Sequence, residues 1–546
     1  MIFEFFRFDN LSNFVGIFIG FFSLLILLYS FGFMRKKKGL IRYYSYIILT
    51  LVASLGVVFS NNLILFVVFW GFLALLLYLL IGFGEKKHTS YTAKKSFIII
   101  GGTDALILLG LAFVWRVTGS LQMDKISIAF DTKLAIWAYL CFAAGAFAKA
   151  GAIPFHTWVP DVASDAPVPV VAFLPASLDK LLGIYFLARI TMDMFVINLS
   201  MNIFLMALGS FTIIAAVMMA LVQHDLKRLL GYHAVSQVGY MVLGIGTGNP
   251  IGIAGGLFHM LNNAIYKSCL FLSGGAAEKR ANTSDLEKLG GLSKFMPVSF
   301  AAFLIASLAI SGVPPLNGFF SKWMIYQGVI ETAKSGSRIW IIWLISAMFG
   351  SALTLASFMK ATHSVFLGQP AKDRKGVKEV GFSMWAPSVI LAGLCIIFGV
   401  FAYRIPIGLF IGPSVKGEIA YTGIWNVNLA TLLILVGIVI GGIIYMLGNI
   451  SKNLRVTDAF VGGELIKEHP DMRVSGTGFY NTIKDIPILN GIYKLAQERA
   501  FDIYEQLKKF CLFFTKILRL FHTGILTTYL IWMLLGALIL FFILMR

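Results

Sequence analysis

Apolar residues along this chain gather into runs of about twenty, parted by short polar or basic loops. Such runs fall at roughly 14–31, 42–59, 63–83, 96–115, 133–153, 168–190, 202–222, 229–247, 251–273, 298–330, 339–360, 383–403, 424–447 and 525–545. About 20 helical residues cross a bilayer core of ~30 Å. The pattern therefore predicts an all-α polytopic membrane protein with about fourteen transmembrane helices.

Two of these runs are interrupted. The fifth leads into Gly151-Ala-Ile-Pro154, and the tenth contains Ser311-Gly312-Val313-Pro314-Pro315 with Gly318 just beyond. Proline removes a backbone donor and clashes one turn back, so Pro154 and the Pro314/Pro315 pair should break their helices. Freed backbone groups are tolerated at membrane depth only where protein buries them or a wet cavity meets them. The breaks lie five spans apart, so the corresponding helices run in opposite directions. Two discontinuous helices in an inverted repeat are the expectation for a secondary-transporter core.

After Ser451 the pattern changes. Residues 451–490 read as a polar, turn-rich connector. From 491 to 522 apolar side chains recur at helical spacing (Ile492, Ala496, Ile503, Leu507, Phe510, Phe514, Ile517 and Phe521), with Lys494, Glu498, Asp502, Glu505, Lys508, Lys509 and Arg519 on the other sides. A helix of ~30 residues would reach ~45 Å. It would either brace several spans laterally or lie as an ordinary interfacial helix. Residues 523–546 form a last anchor, and 1–450 the core.

Composition sharpens this picture. Of 546 residues, 58% are hydrophobic and only 13% charged, about half the charge of a soluble domain. A soluble enzyme, a secreted disulfide scaffold and a disordered chain are all excluded. The net charge of +19 reflects topology rather than nucleic-acid binding. Arg35–Lys38, Lys86/Lys87/Lys94/Lys95, Lys227/Arg228, Lys279/Arg280 and Lys372/Arg374/Lys375/Lys378 all fall in alternate loops. Those loops are expected to be cytoplasmic, with the N-terminus outside and residues 451–522 inside. The apolar run after Phe14 lacks a cleavage site, so no signal peptide is expected. Cys141, Cys269, Cys395 and Cys511 are scattered singly, without spacing for a cluster or zinc. No cofactor and no metal is expected in this chain.

The chemistry should therefore lie in charges that a bilayer normally excludes, since each costs at least ~2.5–3.5 kcal/mol at mid-membrane. The candidates are Asp104, Lys149, Asp179, Lys180, His259, Lys267 and Lys322. Each competes with a plainer reading, a side chain snorkelling from a span end or making a structural hydrogen bond. Asp104 lies midway along its run. Lys149 sits one turn before the Pro154 break, and Lys322 two turns after Pro314-Pro315. Asp179 and Lys180 are adjacent and point in different directions. His259, Asn263 and Lys267 share one helical face and read as a proton wire. A lysine balanced between burial and a nearby carboxylate can load and release a proton.

The stretch Lys149-Ala-Gly-Ala-Ile-Pro154-Phe-His156-Thr-Trp158-Val-Pro160-Asp161, with Ala166-Pro167-Val-Pro169-Val170, resembles the broken-helix signature of the antiporter-like subunits of respiratory complex I. That family includes Mrp-type sodium/proton antiporters and the membrane arms of energy-converting hydrogenases. Asp225-Leu-Lys-Arg-Leu-Leu-Gly-Tyr232, Ser236-Gln-Val-Gly-Tyr240, His259 through Lys267 and Gly312 through Lys322 continue the match in order. Gly462-Gly463-Glu464, Phe501-Asp-Ile-Tyr504 and His522-Thr-Gly524 resemble the subunit type that carries a lateral helix.

The resemblance implies roles. Lys149 would be the input lysine of the first broken helix, Lys267 the central lysine, His259 a relay member and Lys322 the exit lysine. It also implies the plasma membrane of a prokaryote, other membrane subunits, peripheral iron–sulfur or hydrogenase-like subunits, lipid, and no nucleic acid. This chain departs from the family in places. The glutamate that pairs with the input lysine is replaced by Gly71, after Trp70, leaving Asp104 or Asp179 to substitute. Pro175 stands for one histidine and Asn263 for another, and the first two family helices have no counterpart. Ser177-Leu-Asp-Lys-Leu-Leu-Gly-Ile-Tyr185 looks most like hydrogenase subunits. The expected function is ion translocation (proton, sodium or both) as a non-redox subunit of a complex-I-related oxidoreductase, of hydrogenase or ferredoxin-linked type. The alternatives are a stand-alone or Mrp-type sodium/proton antiporter subunit and a structural arm with a silenced channel.

Overall fold

The computed structural model describes residues 2–335, 338–369, 376–421, 427–450, 462 and 476–545. Two compact units emerge, one ending at Ile486 and the other beginning at Pro487. The first contains α1 (Asn10–Phe33), α2 (Leu40–Phe59), α3 (Leu63–Ile81), α4 (Thr89–Thr118), α5 (Lys133–Ala150), α6 (Trp158–Asp165), α7 (Val168–Phe173) and α8 (Asp179–Arg189). It continues through α9 (Leu199–Leu221), α10 (Leu226–Gly246), α11 (Pro250–Ala281), α12 (Pro297–Ser311), α13 (Asn317–Glu331), α14 (Trp340–Thr362), α15 (Phe382–Val400), α16 (Val427–Ile450) and α17 (Asn481–Asp485).

Every expected run is helical. Among the described residues, eleven helices are long and apolar enough to cross a membrane. The other three expected spans are α10, α11 and the α12/α13 pair. Polar side chains dilute the first two, among them His233 and Gln237 on α10 and His259, Asn262, Asn263 and Lys267 on α11. The third is cut in half by its prolines. The molecule is a polytopic all-α membrane protein.

Helix starts follow local chemistry. Side chains of Asp9, Asn62, Thr132, Asn198, Asp225 and Asn249 accept backbone N–H groups at the heads of α1, α3, α5, α9, α10 and α11. Both breaks fall where the sequence places them. Ahead of each, a glycine ends the helix in the left-handed region, Gly151 at φ 79° and Gly312 at φ 83°, which a residue with a Cβ rarely adopts. Ile153–Pro154 and Pro314–Pro315 are cis. The span 168–190 departs from the expected plain helix. Between α7 and α8, Leu174–Leu178 forms a π-helical turn containing Pro175, and the Ser177 hydroxyl donates to the Ala172 and Phe173 carbonyls there.

The interior is built on the run 168–191, wholly buried, and on α10 and α11. Their backbones touch. A Cβ on Gly209 or Gly239 would lie 2.6 Å from the facing helix, and one on Gly244 would lie 2.7 Å from the Gly252 carbonyl. α9, α10 and α11 thus pack at small-residue contacts of the kind that hold membrane helices together. By contrast, the apolar window of α16 is exposed. At one end of the unit, Asp9 caps α1 while receiving Arg189 Nη1 at 2.6 Å, and Arg7 joins it at 2.8 Å.

The second unit holds α18 (Pro487–Gln497), α19 (Ile503–Phe521) and α20 (Leu526–Leu544). The expected helix over 491–522 is therefore two helices. Arg499 takes a positive φ of 60°, and Asp502 restarts the chain by accepting the Tyr504 N–H. Of the residues expected in the connector, 451–461 and 463–475 lie outside the described residues, as do Gly463-Glu464 and the loop charges Lys372, Arg374 and Lys375.

Candidate functional site

The first break brings Asp179, Trp70 and Asp104 to one lysine. Lys149 closes α5, fully buried, with its amine 3.8 Å from Asp179 Oδ1 on α8. Neither the amine nor either Asp179 oxygen has a hydrogen-bond partner. The amine rests 5.3 Å over the ring of Trp70, whose indole N–H donates to Asp104 at 2.9 Å. Trp70 therefore separates the two acids that the loss of the family glutamate leaves available. Asp179 is the ion-pair partner, and Asp104 is fixed beside the ring. Gly71 next to it faces open space, with nothing within 4 Å of the position a Cβ would take.

Lys180 turns the other way. Its amine donates to the Ala150 carbonyl. That carbonyl lies four residues before Pro154, so proline deprives it of its normal helical donor. Trp158 donates to the Ala148 carbonyl at 3.0 Å, so the broken end is tied by two side chains. The second break repeats the arrangement. Lys322 on α13 donates at 2.8 Å to Ile310, four residues before Pro314. Its amine sits 4.8 Å over the Tyr240 ring.

Between the breaks lies α11. His259, Asn263 and Lys267 are fully buried, yet no hydrogen bond joins them to one another among the described residues. The stripe expected along one face shares that face without direct contact, because each member turns to a neighbouring group instead. His259 Nδ1 meets Ser321 at 2.9 Å and its Nε2 meets Gln237 at 3.1 Å and Tyr266 at 3.2 Å. Asn263 donates to Ala176 in the π-helical turn, and Lys267 to the Leu230 carbonyl at 2.9 Å. Lys267 also lies 5.4 Å over Phe358.

Six of the seven candidates are thus interior groups, at most 2% exposed, and the snorkelling reading fails for them. The seventh, Asp104, is half-buried. Four lysines, Lys149, Lys180, Lys267 and Lys322, each have an aromatic ring within 6 Å, a contact worth most when desolvated. Unpaired polar atoms cluster with them: His233 Nδ1, Gln237 Nε2, the oxygens of Asn262 and Asn263, and both polar atoms of Asn317. Buried groups of this kind need ordered water. Among the described residues no three His, Cys, Asp or Glu side chains gather as a metal site.

The sequence reading missed a second polar line. His233, Gln237 and Tyr240 recur at helical spacing along α10: His233 meets Ser357 of α14, Gln237 meets His259 of α11, and the Tyr240 ring lies under the Lys322 amine. The polar positions i, i+4 and i+7 inside an apolar run were a usable signal.

A family model described as NADH:quinone oxidoreductase/Mrp antiporter, TM, matches residues 60–354, more than half of the chain. The chain is 33% identical over 445 residues to the Na(+)/H(+) antiporter subunit A1 of Staphylococcus haemolyticus (strain JCSC1435), covering 77% of this chain and 54% of that protein. It spans about half the length of the curated relatives it matches. Its fold is similar to a chain of the membrane-bound sulfane sulfur reductase, an archaeal respiratory membrane complex (TM-score 0.81, 23% identity, 98% of this chain and 89% of that one). It is also similar to a chain of the Mrp complex from Dietzia sp. (TM-score 0.69, 22% identity, 75% and 84%).

Proposed function

Because the chain belongs to the NADH:quinone oxidoreductase/Mrp antiporter transmembrane family, we propose that it is an ion-translocating, antiporter-like subunit of a multi-subunit membrane complex. The observation that carries this reading is the buried pair Lys149–Asp179, 3.8 Å apart and otherwise unpartnered. One proton moved from amine to carboxylate neutralises both members. In a low dielectric the charged and neutral forms then compete closely, and neighbouring charges decide between them. Lys180, Lys267, His259 and Lys322 supply those neighbours along the interior.

Each of these other lysines also holds a carbonyl, two of them at the broken helix ends, where backbone groups bind ions in transporters. Asp104, half-buried at mid-span, supports a partner subunit or water on that face, since lipid alone would leave a carboxylate stranded.

Similarity to a named sodium/proton antiporter subunit supports an Mrp-type antiporter function, with proton and sodium as the exchanged ions, over the hydrogenase type suggested by the Ser177–Tyr185 run. The redox-driven version, served by peripheral iron–sulfur subunits, keeps one specific support: the whole-length likeness in fold to a chain of an archaeal respiratory complex.

Everted vesicles carrying the intact complex test both. Sodium added after acidification releases protons under the antiporter reading without an electron donor, whereas the redox reading requires the donor. In either case Lys267→Ala abolishes coupled transport while the complex still assembles. Normal transport by that variant overturns the proposal.

A further inference from the structure

We propose that His233, Ser357 and Lys360 form a proton branch that enters the relay from the end of the bundle where α9 meets α10. The inference rests on the translocation reading above and adds residues that reading does not use.

The branch begins near the surface. Lys360, 2% exposed on α14, donates to the carbonyls of Leu221 at 2.7 Å and Gln223 at 2.9 Å, at the close of α9. Gln223 is half-buried and the next residue, His224, is exposed. Ser357 precedes Lys360 by three residues on α14, and so occupies the same helix face. Its hydroxyl meets His233 Nε2 at 2.7 Å.

His233 is fully buried on α10, seven residues or ~10 Å in from Leu226 at the helix start. Its ring lies 4.7 Å from that of Phe358, and the same Phe358 ring carries the Lys267 amine at 5.4 Å. Lys267 binds the Leu230 carbonyl, one turn before His233 on α10. The charged groups bearing on His233 are Lys267 from α11, Lys322 from α13 and Lys360 from α14.

The other ring nitrogen decides the matter. His233 Nδ1 has no hydrogen-bond partner, nor has Gln237 Nε2 one turn further along α10. A histidine kept only for packing would leave the desolvation of that nitrogen unmet. A single water would satisfy two such nitrogens one turn apart on a helix. Gln237 orients that water, which takes the proton, without carrying a proton itself; its own oxygen meets His259 at 3.1 Å, and His259 meets Ser321 on α13, beside Lys322. A proton accepted at Nε2 and released from Nδ1 leaves the imidazole neutral and in its other tautomer. The balance closes when the ring re-tautomerises, with no group oxidised or reduced.

The test uses everted vesicles with the assembled complex. His233→Gln preserves the reach of Nε2 to Ser357 but cannot carry a proton through. We expect the initial rate of coupled transport to fall on the order of 10²-fold, with an enlarged D2O isotope effect. Ser357→Ala should slow the same step, and the double variant should be no slower than His233→Gln alone, since both lie on one path. A structural histidine predicts wild-type rate and isotope effect in His233→Gln, and that result overturns the branch. With Lys267→Ala inactive beside it, only the branch fails. With Lys267→Ala also active, the translocation reading fails. If His233→Gln does not assemble, Ser357→Ala, which removes one hydroxyl, decides by the same rate and isotope effect.

Discussion

The amine of Lys322 donates at 2.8 Å to the carbonyl of Ile310, which Pro314, four residues on, cannot serve. Lys180 does the same for Ala150, four residues before Pro154. The two lysines complete helices that the prolines cut, at the negative end of each helix dipole. A hydrogen bond from a charged donor contributes about 1.5–3 kcal/mol, against about 0.5–1.5 from a neutral one. Charge on the amine and integrity of the broken end are therefore coupled.

Lys322→Met should strand the Ile310 carbonyl. The cost is about 1–3 kcal/mol, read as a lower unfolding temperature of the solubilised complex, together with loss of transport. Lys322→Gln keeps a donor and should recover part of the stability without recovering transport. Equal recovery of both would mean that the amine is only a tie.

For the Lys149–Asp179 pair, removing one partner leaves a buried charge uncompensated. Lys149→Met or Asp179→Asn alone should lower stability by about 3–5 kcal/mol, and the double variant should regain most of it. Transport should be absent in all three. A silenced, purely structural channel predicts that transport survives Lys149→Met.

Gly71→Glu reintroduces a carboxylate beside Trp70. Because nothing lies within 4 Å of the new Cβ, the complex should assemble. The new acid then competes with Asp179 for Lys149, so the pH profile of transport should move. An unmoved profile would show that position 71 no longer communicates with the input lysine.

At the rim, burial raises the Asp9 carboxyl but Arg189 and the Ser12 N–H more than offset this, holding it well below the ordinary range. A depressed carboxylate stabilises fully above its unfolded pKa of about 3.9 and loses that contribution as pH falls towards its folded value. Asp9→Asn should therefore cost the same at pH 7 and pH 5, and progressively less below about pH 4, in thermal unfolding of the complex. A cost that changes between pH 7 and pH 5 would implicate another group.

The spans and both breaks were legible because long apolar runs and proline's missing N–H act locally. Burial of the lysines followed from their position within those runs. Partner choice was not legible. That Lys149 pairs with Asp179 while Trp70 holds Asp104 depends on how α3, α4, α5 and α8 meet, which no spacing encodes. The same holds for the stripe on α11, whose members face three different elements. The interruption at Arg499 lacks a glycine or proline to announce it, although Asp502 is an ordinary helix-starting residue. His233 was overlooked because a single histidine among apolar neighbours reads as packing until Ser357 and Phe358 are placed beside it.

The glycine contacts among α9, α10 and α11 have a mechanical consequence. Backbones in direct touch at Gly209–Gly239 and Gly244–Gly252 leave no lubricating layer of side chains, so these helices cannot slide or tilt past one another without opening a void. Many carriers rock one half against the other to expose their cargo alternately. Here that movement would open voids at the centre, so the proposed translocation is expected to proceed by local rearrangement of side chains and water inside a largely fixed frame.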